Sequence, residues 1–325
     1  MSGLLARWGI TGNADLVRAE RGTNNRTFVV VQGHARWVLR ISENLSQLQV
    51  RAEHRLLGRL RDAGLPFGVP EPVPTRDGGT LVETSSGPAT LCRWIPGVRP
   101  DLTGEPELER FGRAIGLLSA AMRSVPPEDS PHDWHTAPPR GQPGIPGIED
   151  LCRELTGAGV GREHAAALET AARRPTPWWS SAGGDLPVQV IHADLGASNT
   201  LVDEHTGQVT ALLDFELAGP DYRVQDLVAA LLLSGALEGP QWRRRVAALG
   251  RGHVRALRLD PAEIQAIPDL LVCRGLGSVL WRVARWRRGQ ARLGDVTGRL
   301  DKLDATLSWL AAHSEQLLDV MACAG

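Results

Sequence analysis

One stretch, Val188 to Leu233, constrains this chain more than any other. It reads VQVIHADLGASNTLVDEHTGQVTALLDFELAGPDYRVQDLVAALLL. Two short apolar runs, Asn199 to Val202 and Gln208 to Leu213, flank the polar segment Asp203-Glu204-His205-Thr206-Gly207. That pattern predicts a β-hairpin. Such a hairpin returns the chain so that Asn199 and Asp214 lie side by side. Asp194 stands five positions before Asn199, and Phe215-Glu216 follow Asp214. A bland hairpin with polar ends accounts for the turn residues, because Asp and Asn favour turns. It does not account for Asp-Phe at the far end.

These residue types suit phosphoryl transfer. That reaction asks for a carboxylate to orient a hydroxyl and take its proton, and for hard oxygen ligands that hold Mg²⁺ against phosphates. Asp194 suits the first role; Asn199 and Asp214 suit the second. His192 is expected to brace the loop by hydrogen bonds rather than to move a proton.

Composition sets the frame. The chain has 325 residues, 42% hydrophobic and 22% charged, and a formal net charge of −1. Nothing global points to nucleic acid or to a membrane surface. Cys92, Cys152, Cys273 and Cys323 are scattered and form no C-x-x-C pair, which argues for reduced thiols and a cytoplasmic setting. No export signal is evident at Met1 to Trp8, and no run of about eighteen apolar residues suggests a membrane span. Lys302 is the only lysine.

Towards the N-terminus, Asp15 to Glu20, Thr27 to Gln32 and Ala35 to Ser42 read as strands around two turns, Arg21 to Arg26 and Gly33-His34. Gly22, Thr23 and Asn24 in the first turn are candidates for backbone contact with a nucleotide's phosphates, although an ordinary hairpin explains them equally. Val38-Leu39-Arg40-Ile41 places one cation among apolar neighbours. Gln47 to Asp62 is an expected amphipathic helix with Leu48, Ala52, Leu56 and Leu60 on one face. Glu53 either pairs with Arg40 or is a solvated surface carboxylate. Val69 to Val73 and Thr80 to Glu83 are expected short strands. Ala89 to Ile95 is a further strand that runs into Pro96-Gly97, the expected hinge, where Cys92 to Trp94 offer backbone to an adenine.

The remainder reads as mostly helical. Pro106 to Ser124 and Ile148 to Arg174 are expected helices. Pro126 to Gly147, containing Asp133-Trp134-His135, is an expected loop or flap, and Trp178-Trp179 precede a glycine turn. Asp226 either caps an apolar helix or holds the loop around Asp194. Glu216 and Asp221, with Asp194, either bind an ammonium group or are plain loop carboxylates. Trp281 to Arg288 interleave arginine with tryptophan; a surface-arginine, core-tryptophan helix is favoured over a nucleic-acid contact. Leu303 to Met321 is an expected closing helix.

The motifs RGTNNRTFVV, WVLRI, AEHRLLGRL, IHADLGASNTLVD and LLDFELAGPDYRVQDL resemble the aminoglycoside phosphotransferase/homoserine kinase/choline kinase-like group. The resemblance covers roughly Arg21 to Leu233, and the His-Ala-Asp-Leu form tilts it toward homoserine kinases. It implies a bilobal α+β protein-kinase-like fold, with a small antiparallel-sheet N-lobe over residues 1–95 and a larger, mostly helical C-lobe over 96–325. It implies ATP and Mg²⁺ as cofactors, Asp194 as base, Asn199 and Asp214 as metal ligands, and Asp226 as support of the loop. It places Arg40 where kinases keep a lysine on the nucleotide's phosphates. A guanidinium can bridge phosphates bidentately. Ala193 replaces the arginine that reads an activation-loop phosphate in protein kinases, and no Ala-Pro-Glu follows Asp214, which argues against a protein substrate. The expected acceptor is a small, amine-bearing metabolite, homoserine-like first and aminoglycoside second. A nucleotide-binding regulatory protein without transfer activity is the alternative.

Overall fold

Alternation within the N-terminal strands builds the first layer. The computed structural model describes residues 1–19, 25–133, 147–174 and 186–324. Strands β1 (Asp15–Arg18), β2 (Asn25–Gln32), β3 (Ala35–Ser42), β4 (Val82–Thr84) and β5 (Gly87–Arg93) form one antiparallel sheet in the order β1-β2-β3-β5-β4. Gly33 takes φ +60° in the β2–β3 turn, where a side chain would be strained. Successive residues of a strand face opposite sides. In β3 this sends Leu39 and Ile41 into a cluster with Val30, Ala89, Leu91 and the N-terminal Leu5 and Trp8. It sends Arg40 to the other face, toward helix α2 (Gln47–Asp62); the short helix Ser2–Leu5 is α1.

Helix α2 starts on a capping box in which Ser46 and Gln49 satisfy each other's backbone N–H groups. Leu56, Leu57 and Leu60 belong to the large core of the helical part of the molecule. Leu48 departs from the expected face: it is 78% exposed, and Val50 and Glu53 are buried instead. The helix turns to bury the carboxylate that Arg40 needs. A second tie fixes it from below. Asp129, nearly buried, accepts from Arg55 Nε at 2.5 Å and from Arg59 Nε at 2.6 Å.

The helical layers follow: α3 (Glu105–Met122), α4 (Ile148–Gly157), α5 (Arg162–Arg173), α6 (Gln225–Leu233), α7 (Trp242–Val254), α8 (Pro261–Arg287) and α9 (Leu293–Cys323). Between α5 and α6 lie two small antiparallel pairs, β6 (Val188–Ile191) with β9 (Gly219–Tyr222), and β7 (Thr200–Val202) with β8 (Val209–Leu212). Helix α6 is apolar on nearly every side and buried from Gln225 to Leu231, as an all-round hydrophobic helix must be.

Several expectations are corrected. Val69 to Val73 is not a strand; Pro70 and Pro72 lack N–H donors, and only isolated bridges form there, from Gly68 to Ala211 and from Pro72 to Cys92. Ile148 to Arg174 is two helices, broken at the segment containing Gly159, whose φ is +101°. The closing helix begins ten residues earlier than expected, at Leu293. The expectations for Gly22-Thr23-Asn24, for Trp134-His135 and most of the flap, and for Trp178-Trp179 lie outside the described residues.

Helices α3 and α7 cross at glycine. A Cβ on Gly112 would run into the carbonyl of Leu249, and one on Gly252 into the carbonyl of Glu109. Overpacking of this kind typically costs about 1–3 kcal/mol. Gly112→Ala should therefore lower the free energy of unfolding by at least that amount in urea titration. An unchanged midpoint and slope would show that the crossing does not depend on the missing side chain.

Candidate active site

The site is assembled from the loop after β6 and the β7–β8 hairpin. The buried carboxylate of Asp226, in the first turn of α6, accepts from His192 N at 3.1 Å and from Ala193 N at 2.9 Å. Val224 holds the N-cap position of α6 and makes no side-chain cap. Of its two expected jobs, Asp226 thus bonds the loop and does not cap the helix. Ala193 is held at φ +67°, a conformation that costs a non-glycine residue. His192 is fully buried, and its Nε2–H donates to the carbonyl of Leu213 at 2.9 Å. Its Nδ1 accepts from Asp194 N at 3.2 Å. Burial lowers the His192 pKa, against the pull of Asp226 and Asp194, so the ring is a neutral brace.

The hairpin closes as expected. Leu213 N donates to the carbonyl of Asn199 at 2.8 Å. Asn199 Nδ2 donates to the Asp194 carbonyl at 2.8 Å and to Asp194 Oδ2 at 2.9 Å. The amide nitrogen is thereby committed, and the amide oxygen remains for a cation. Asp214 follows directly, at φ +66°. Its Oδ1 is shut off from solvent without a hydrogen-bond partner, although the side chain as a whole is 39% exposed. Arg40 Nη1 lies 3.8 Å from that oxygen. Burial, reinforced by the charge of Glu216, pushes the Asp214 carboxyl up to about 7 against the pull of Arg40.

Arg40 itself is gripped bidentately by Glu53, with Nη1 to Oε1 at 2.9 Å and Nη2 to Oε2. Burial alone would lower the guanidinium's pKa, but Glu53 and Asp214 outweigh it and hold it above its ordinary value. Cys92 lies inside the sheet, paired with Val38 and bridged to Pro72, and Trp94 stands beyond the end of β5. Burial pushes the Cys92 thiol up to about 12.

Glu216 and Asp221 part company. The Glu216 carboxylate is buried and accepts from Asn25 Nδ2 at 2.5 Å, on the sheet side of Asp214. Asp221 lies on β9, among the carboxylates whose charge acts on Arg274 of α8. Arg274 is absent from the sequence-based reading. Its Nη2 is 3.5 Å from Asp194 Oδ1, and its side chain is 22% exposed. Local sequence carried no sign of it, because α8 reaches the loop only through the fold. An almost wholly buried ion pair helps set α8 there: Arg223 donates to Glu263 through Nε at 2.8 Å and Nη2 at 2.5 Å.

A cation-bearing strand, a helix carboxylate, and a loop–hairpin bearing Asp, Asn and Asp are set within a bilobal α+β protein-kinase-like fold. The model of the phosphotransferase enzyme family (APH) matches residues 15–260, and the chain belongs to that family. It is a small-molecule kinase with a hydroxyl acceptor. A homoserine kinase of Gluconacetobacter diazotrophicus is 29% identical over 258 residues, 77% of this chain and 73% of that one. The solved structure of a microcompartment-associated aminopropanol kinase superposes with a TM-score of 0.75 at 21% identity, covering 98% of both chains. Amicoumacin kinase, solved in complex with AMP-PNP, Ca²⁺ and Ami, superposes with a TM-score of 0.64 at 14% identity, covering 94% of this chain and 88% of that one. No helix among the described residues is long and apolar enough to cross a membrane.

The raised Asp214 pKa has a sign that can be checked. The folded, metal-free protein keeps this proton up to about 7, whereas the unfolded chain releases it near 3.8. The stability from the protonated carboxyl is therefore full below 3.8 and lost as the pH climbs to about 7. Asp214→Asn should gain stability relative to the wild type across that window and level off above it. A difference that does not vary with pH would contradict the assigned environment.

Proposed function

We propose that this chain transfers the γ-phosphate of ATP to the hydroxyl of a small, amine-bearing metabolite, with homoserine-like amino alcohols first and aminoglycosides second. The observation that carries the reading is the convergence of Asp194, Asn199 and Asp214 on one loop and hairpin. Asp194 orients the acceptor hydroxyl and takes its proton. The acceptor oxygen bonds to the γ-phosphorus as the bond to the bridging oxygen breaks, and ADP leaves with that electron pair.

The residues fit a magnesium ion. Asp214 offers a buried oxygen without a hydrogen-bond partner, and Asn199 offers an amide oxygen. No group of three or more His, Cys, Asp and Glu side chains gathers as a metal site among the described residues. Few protein ligands, completed by phosphate oxygens, is the mode Mg²⁺ prefers. When bound there, the ion neutralises phosphate charge. Arg40, held by Glu53, supplies the fixed protein cation beside it. The main chain around Cys92 and Trp94 takes the adenine, and residues 1–95 serve as the nucleotide lobe against 96–325. The 29% identity to a homoserine kinase supports the ranking of acceptors. Four unpaired cysteines support a reducing, cytoplasmic setting.

The direct test is transfer of labelled phosphate from ATP, with Mg²⁺, to homoserine, threonine, choline, ethanolamine, hydroxylysine and several aminoglycosides. Asp194→Asn should lower transfer by about 10²–10⁴-fold and leave Mg·ATP affinity largely intact. Undiminished turnover in that variant would remove Asp194 from its role. A wild-type protein that failed to bind Mg·ATP would remove the whole reading.

A further inference from the structure

Arg274 stands where a cation is hardest to explain by stability. Its Nη2 lies 3.5 Å from Asp194 Oδ1, beyond a good hydrogen bond, and its side chain is 22% exposed. Among the described residues its guanidinium makes no hydrogen bond. Asp194 Oδ2 is already taken by Asn199, and both oxygens of Asp226 are taken by the loop N–H groups. Left as it is, the guanidinium occupies the one base oxygen that an acceptor hydroxyl would approach. It would also repel an acceptor whose only charge is an ammonium group.

The helix surface beyond it is open and positive. Residues three, four and seven positions along a helix share a face. Gly277 is exposed, and a Cβ there would meet nothing within 4 Å. One further turn on, the Trp281 ring carries the guanidinium groups of Arg282 and Arg285, each 5.0 Å from its centroid. Arg282 Nε is buried without a hydrogen-bond partner.

We propose that Arg274 binds a carboxylate of the acceptor, so that the preferred substrate is an amino acid bearing a hydroxyl rather than a simple amino alcohol. This rests on the phosphotransfer reading above and narrows its acceptor class. A planar carboxylate takes the guanidinium fork bidentately. That exchange draws Arg274 off Asp194 and frees Oδ1 for the hydroxyl. Asp221, whose charge already acts on Arg274, adds negative potential on the side where the ammonium group would lie. Recognition of the anion and exposure of the base are thereby one event, which makes an acceptor without a carboxylate a poor substrate.

Homoserine and 3-amino-1-propanol form a matched pair, since the second is the first without its carboxylate. The test is kcat/KM for both, with ATP and Mg²⁺, in the wild type and in Arg274→Ala, Arg274→Gln and Arg274→Lys. The wild type should favour homoserine. In the Ala and Gln variants that preference should shrink by roughly 10- to 100-fold, mainly through the KM for homoserine. Lys should restore part of it; three substitutions of different size guard against one that fails to fold. An equal fall for both acceptors, with the preference intact, would overturn the assignment and place the cation on the transferred phosphate instead. A wild type that does not discriminate overturns it too. A wild type that phosphorylates neither acceptor overturns the amino-alcohol reading, and this inference with it.

Discussion

Two backbone N–H groups on one buried carboxylate hold the active loop in shape. Asp226 takes the amides of His192 and Ala193, and so keeps Ala193 in a left-handed conformation that costs about 1–3 kcal/mol when unsupported. From that brace a chain of hydrogen bonds runs outward. His192 receives the amide of Asp194 on one nitrogen and donates to the carbonyl of Leu213 with the other. Leu213 in turn donates to Asn199, and the next residue is Asp214, itself at positive φ. The proposed base and both proposed metal ligands are therefore placed by one continuous network. Burial raises the Asp226 pKa, while the histidine and the two amides pull it back. A carboxylate in so dry a place is stable only while those partners stay.

The proposed nucleotide side rests on a second buried pair. Arg40 and Glu53 have side chains only 16% and 1% exposed, so neither survives alone without a large penalty. Glu53 rides on a helix whose Leu56, Leu57 and Leu60 lie in the large core, and Arg40 rides on the sheet. The pair thus joins two layers beside Asp214. Asp129 ties the same helix through Arg55 and Arg59, and His132 Nε2 reaches the carbonyl of Glu216 at 3.0 Å. One short segment thereby links helix α2 to the loop that follows Asp214.

What the sequence made legible was local. Asp194, Asn199 and Asp214 lie within one strand–loop–hairpin, where turn residues and alternation report geometry directly. Arg40 stands out as a lone cation in an apolar strand, whereas its pairing with Glu53 comes from the kinase-like arrangement and not from the local pattern. Helical period alone allows α2 two faces, and the burial of Glu53 chooses the one that leaves Leu48 outside. Apolar spacing runs on across Gly159, so periodicity alone does not mark the helix break there. Arg274 had no local signature at all; 80 positions separate it from Asp194, and only the packing of α8 brings them together. Glu216 and Asp221 look alike in sequence, yet one bonds Asn25 of the sheet and the other lies on β9, where its charge acts on Arg274.

The claim that the Asp226 brace acts through Asp194 is tested most directly by a double-mutant cycle. Transfer of labelled phosphate to homoserine would be timed in Asp226→Asn, in Asp194→Asn and in the double variant. Residues that act as one unit are strongly non-additive. The account predicts that the Asp226 substitution slows the wild type markedly and slows the Asp194→Asn protein little further. Equal losses in both backgrounds would mean that Asp226 supports only the fold, and that the presentation of the base has another cause.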